Sequence, residues 1–160
     1  MLDIEPPDDM HLLRLIWSPD DVIDGQVQPA AFKKNDLRSI DRYVSVDRVD
    51  MLVPAVVRRT AADQQAKANP ENNVRREEAY STRLVAGAIR AILDDQGNAP
   101  LIVRPEPILD PHPEINNPAH CMVANNSGRA SKGYLLKLQT TLADLTFDTK
   151  HLEEALSEYE

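Results

Sequence analysis

The sequence predicts a single α+β domain, with a mixed or antiparallel sheet of about five or six short strands covered by two to four helices. Three observations carry this. The length of 160 residues and a hydrophobic fraction of 42% suit one domain with a real core. Short apolar or β-branched runs at 12–17, 43–47, 101–103 and 121–124 are separated by Pro, Asn and Gly, as strands and turns are. Two longer stretches, 54–67 and 131–145, have helical composition and spacing.

In chain order, residues 1–10 read as a flexible lead-in, 11–147 as the domain and 148–160 as an acidic C-terminal tail with helical patterning. Leu12-Leu13-Arg14-Leu15-Ile16-Trp17 is too short for a helix and reads as a buried strand with Arg14 embedded in it. Gly25 marks a turn, Val27 to Phe32 suggests a second strand interrupted by Pro29, and 33–42 is loop-like. Tyr43 to Asp47 alternates in the manner of a strand. Pro54 suits the first turn of a helix reaching about Lys67. Asn69 to Asn73 breaks it, and a second helical piece is expected over Val74–Tyr80. Residues 84–93 fit either element, with strand favoured because Gly87 would cost a helix about 1 kcal/mol against Ala. Ser131 caps a helix whose Tyr134, Leu135, Leu138, Leu142 and Leu145 form one apolar stripe. Leu152, Ala155, Leu156 and Tyr159 share a face of the last piece.

Net charge is −8, with −6 in residues 1–24, −5 in 144–160 and +3 between them. Acidic ends around a mildly basic body argue against general nucleic-acid binding, which needs a concentrated basic face. The single cysteine excludes an internal disulfide. An acidic start without a signal peptide, and no apolar run of membrane-spanning length, lead to the expectation of a cytoplasmic protein with no membrane association.

Few residues carry chemistry. Arg14 in an apolar strand needs a carboxylate or an anion, unless its head turns to solvent. Ser45 and Asp47, two apart, share a strand face. Ser45 suits a nucleophile or a ligand contact, and equally a cross-strand hydrogen bond. His120 follows a proline-stiffened Asn116-Asn117-Pro118 turn and suits acid–base work, with Asp110 or His112 nearby. Arg14, Ser45 and His120 are the catalytic candidates; Asp47, Asp110 and Asn117 are candidate binding residues. No metal site is expected, because the spacing of His112 and His120 with Asp110 or Glu114 matches no ligand motif. Cys121 adjoins His120, but neighbours on a strand point to opposite faces, so it reads as a buried thiol. No Gly-rich phosphate loop occurs. Asn126 to Arg129 suits an anion or simple capping.

Leu12-Leu13-Arg14 with Gln28-Pro29-Ala30-Ala31-Phe32, then Val44-Ser45-Val46-Asp47-Arg48, then Asn117-Pro118-Ala119-His120, resembles a group of small uncharacterised bacterial proteins over roughly residues 11–145. The resemblance implies no activity and agrees with strands at 44–48 and 121–124. The chain is also faintly similar to RES-type and ADP-ribosyltransferase-like domains, which place an Arg on a first strand and a Ser on a later one to bind and cleave NAD. That likeness would give Arg14 and Ser45 those positions; no Glu lies between them, so Asp47, Asp110 or His120 would supply the acid.

Two functions are therefore expected. The first is a protein-binding accessory component, its partner encoded beside it in the same operon, docking through the amphipathic tail and needing no cofactor. The second is a small enzyme acting on NAD or a nucleotide. They separate on whether Arg14, Ser45 and His120 line one pocket or lie on opposite faces of the sheet.

Overall fold

The computed structural model describes residues 4–109 and 116–160. Six strands form one antiparallel sheet in the order β6-β7-β4-β1-β5-β8. They are β1 His11–Trp17, β4 Val44–Arg48, β5 Ala79–Val85, β6 Leu101–Pro105, β7 His120–Asn125 and β8 Phe147–His151. A hairpin of β2 Val22–Ile23 and β3 Gln26–Val27 stands apart from it. Its two-residue turn, Asp24-Gly25, has φ of 52° and 76°, the left-handed pair that matches the twist of a tight hairpin. Among the described residues, four α-helices complete the domain: α1 Pro54–Ala66, α2 Ala86–Arg90, α3 Lys132–Leu145 and α4 Leu152–Leu156.

β1 runs through the middle of the sheet and is buried on both faces, hence its apolar run, interrupted only by Arg14. On one side Leu12 and Ile16 join Val44, Val46, Leu84, Cys121 and Val123 beneath Leu135, Leu138 and Leu142 of α3. On the other, Leu15 and Trp17 meet Val57 and Ala61 of α1 and Leu152 and Leu156 of α4. Ser131 caps α3, its hydroxyl accepting the backbone N–H of Tyr134.

Four local expectations change. Beyond Val27 the chain turns into a 3-10 helix at Pro29–Ala31 instead of continuing as a strand; Pro29 has no N–H for a ladder, and its carbonyl accepts from Phe32. Val74–Tyr80 is not helical. Its carbonyls are taken elsewhere, those of Arg76 and Glu77 by the Gln65 amide, while Glu77 and Glu78 bond to the backbone of Ser18. The stretch 84–93 divides, with strand to Val85 and helix from Ala86 to Arg90. The Gly87 N–H bonds the Asp8 carbonyl at 2.8 Å, and a Cβ on Gly87 would sit 2.8 Å from that same oxygen. The glycine thus admits the neighbouring chain. Finally, the segment after α3, expected to begin a tail of helical patterning, opens with a strand that includes Phe147 and Thr149. This strand is β8, which caps the open edge of β5 with Thr82 Oγ1 bonded to the Phe147 carbonyl at 3.2 Å.

Residues 4–10 and the C-terminal segment are both fastened to the body. Met10 and Asp8 carbonyls accept from Ala86 and Gly87, and the Arg48 guanidinium donates to the Ile4 carbonyl at 2.7 Å. In the C-terminal segment, Leu152, Ala155 and Leu156 are buried, so the amphipathic face packs on the chain's own sheet.

Candidate functional site

Register decides which side chains meet. β4 and β7 pair Asp47 with His120 and Ser45 with Met122, and β1 pairs Leu13 with Asp47. Directly opposed residues share a face, so Ser45, Asp47, His120 and Leu13 all project toward the α1 side. By the same alternation Arg14 springs from the α3 side, beside Leu12 and Ile16. It still reaches Ser45. Pairing between β1 and β4 covers only Leu12 and Leu13, after which the strands part. The Arg14 guanidinium fills the split. Its Nη1 donates to the Ser45 carbonyl at 2.9 Å, and Nε and Nη2 donate to the Ala31 carbonyl at 3.3 and 2.9 Å.

Arg14, Ser45, Asp47, Asn117 and His120 therefore line one cavity of about 180 Å³, closed by Leu13, Leu15, Ile108, and Val57, Thr60 and Gln64 of α1. The three catalytic candidates share a pocket, with Arg14 entering through the sheet rather than across one face. Asp110, like His112 and Glu114, lies outside the described residues.

The polar contacts in the cavity are few and directional. Asn117 Nδ2 donates to Asp47 Oδ1 at 3.0 Å, and Asn117 Oδ1 accepts from the Ala119 N–H at 3.2 Å. Asn117 is itself placed by paired backbone hydrogen bonds with Ile108. His120 is only 7% exposed. Its Nδ1 lies 2.7 Å from the Glu106 carbonyl oxygen. A carbonyl only accepts, so Nδ1 carries the proton and the neutral ring keeps its lone pair on Nε2. Tyr43 stands edge-on to this ring at 5.8 Å. Burial pushes the Asp47 carboxyl above its usual range, and the Asn117 hydrogen bond and the neighbouring His120 pull it partly back.

Comparison with protein-family models, with curated proteins and with solved structures finds no match to this chain. Its chemistry has to be read from these side chains alone.

An imidazole with a fixed tautomer beside a carboxyl that resists ionisation can give and take protons. Nucleophilic attack has less support. Ser45 lies diagonal to His120 across the ladder, about 7–8 Å away for such a pair, and makes no hydrogen bond to it. Cys121 points the other way, into the α3-side core, where burial pushes its thiol up to about 11. The segment after β7 is spent on structure. Asn125 bonds the Leu37 and Arg129 carbonyls, and Arg129 pairs with Asp94 and Asp95. Several contributors escaped the sequence reading: Gln64, Thr60, Tyr43 and the Glu106 carbonyl. A backbone carbonyl leaves no trace in residue type, whereas Tyr43 was signalled only as the first residue of a strand.

Proposed function

We propose that this protein is a small enzyme acting by proton transfer on a nucleotide-sized polar molecule, with His120 Nε2 as the base and Asp47 as its acidic counterpart. The observation that carries this reading is the convergence of Asp47, Asn117, His120, Ser45 and Arg14 on one cavity. Polar side chains gathered at a concavity, two of them (Asn117 and His120) buried and one carboxyl raised by desolvation, are the usual signature of a site. NAD cleavage in the ADP-ribosyltransferase manner draws less support, because Arg14 spends three of its N–H groups on backbone carbonyls and stems from the other face. The protein-docking reading leaned on the amphipathic tail, whose apolar residues are engaged within the domain.

NMR titration of the labelled protein with AMP and NAD tests the proposal. Shift changes should centre on Ser45, Asp47, Asn117 and His120, and any turnover of a bound ligand should fall by about 10²-fold or more in His120→Asn. Ligands that bind elsewhere, or turnover indifferent to His120→Asn, would remove the basis for it.

A further inference from the structure

The Asp47–His120 cavity is one end of a longer cleft. A second cavity of about 390 Å³ adjoins it and shares Arg14, Leu15, Ser45 and Gln64 with it. The first alone is smaller than the roughly 300–1,000 Å³ that ligand sites occupy, whereas the two joined lie within that range. Tyr43 lines the second cavity while its ring touches His120, so it spans both ends.

The charges along this second cavity do not cancel. Its cations are Arg14, Lys33, Lys67, Arg75 and Arg76, and its acids Asp20, Asp21 and Asp36. Arg75 is paired with Asp20, and Lys33 with Asp21 at 3.5 Å. Asp21 also accepts the Trp17 N–H at 3.0 Å. What remains is Arg14, Lys67 and Arg76 against Asp36, a net positive cleft. The Lys67 N–H donates to the Gln64 carbonyl at the end of α1, but its ammonium forms no hydrogen bond or ion pair with any described residue. Arg14 has five N–H groups and uses three, leaving one on each terminal nitrogen. Among the described residues no carboxylate is in contact with it. Asp21 and Asp36 act on it only from a distance. A guanidinium desolvated in a split sheet, its outer edge unclaimed, is arranged to receive an oxyanion.

We propose that the second cavity binds a phosphoryl group, held by the free edge of Arg14 and by Lys67, while the uncharged part of the same ligand extends toward Asn117 and His120. This rests on the proton-transfer site described above and names its substrate class: a phosphorylated molecule of about nucleotide size. A phosphoryl group presents several acceptor oxygens in three dimensions, which suits donors arriving from β1 and from the end of α1. The two ends divide the labour, charge at one and hydrogen bonding at the other.

Calorimetric titration with sodium pyrophosphate, AMP and adenosine tests the inference. Pyrophosphate and AMP should saturate a single site, with adenosine far weaker. Lys67→Ala should weaken both anions about tenfold without altering the fold, since Lys67 is exposed and its ammonium touches nothing that holds it. Arg14→Lys should weaken them comparably by losing the planar fork. If that variant does not fold, Lys67→Ala carries the test by itself. Failure of the wild type to bind pyrophosphate, or equal binding by Lys67→Ala, overturns the inference. The two readings fail separately. AMP that shifts the His120 resonances while pyrophosphate does not bind removes the phosphoryl site alone. Pyrophosphate that binds while AMP leaves His120 unmoved removes the proton-transfer site alone.

Discussion

Asp47 is the residue at which environment and charge conflict most. Its carboxyl is half-buried, receives one hydrogen bond from Asn117, and ionises less readily than a free carboxyl because desolvation outweighs that bond. A folded-state value above the unfolded one means that folding favours the protonated form. The contribution to stability is therefore present below the ordinary carboxylate range and is lost as pH rises through the folded value. Asp47→Asn keeps an oxygen for Asn117 and removes the charge. It should raise the thermal midpoint at pH 7, with the advantage fading toward pH 4. A loss of stability at pH 7 would overturn this sign. Arg14 makes a related point. Its position in an apolar strand signalled that it needs a partner. That the partners are the Ser45 and Ala31 carbonyls depends on where β1 and β4 part, which no residue type announces.

Elements were legible where local and global demands agreed. α1 has Pro54 at its first position and α3 has Ser131 at its cap, so both starts follow from residues within the helix itself. β1, β4, β6 and β7 carry β-branched or apolar runs that nothing contradicts. The misreadings fall where a distant segment decides. Residues 76 and 77 are held extended by Gln65, and the strand-to-helix change at Ala86 follows the docking of Asp8 and Met10. Gly87 measures that docking. Gly87→Ala improves intrinsic helix propensity by about 1 kcal/mol, yet places a methyl 2.8 Å from the Asp8 carbonyl. The clash should win, lowering the melting temperature and increasing amide exchange at Ala86 and Gly87. A rise in stability would mean that the residue 4–10 segment yields at little cost.

At the scale of the molecule, one sheet separates two cores, the larger beneath α3 and the smaller beneath α1 and α4. The smaller depends on the C-terminal residues, with Leu156 fully buried. Leu156→Ala should cost about 2–5 kcal/mol in denaturant unfolding, comparable to Leu142→Ala in the larger core. A cost within about 0.5 kcal/mol, as at exposed positions, would show the tail to be an appendage. By itself the sequence determined the fold class, the strands β1, β4, β6 and β7, both long helices and the residue types able to move a proton, because periodicity, caps and turn chemistry are local; β5 and β8 were not legible. Tertiary structure alone decided that Asp47 faces His120, that Glu106 sets its tautomer and that Arg14 enters through a gap in the sheet. Those facts depend on register and on where two strands separate, and such pairing is set by burial of the whole chain.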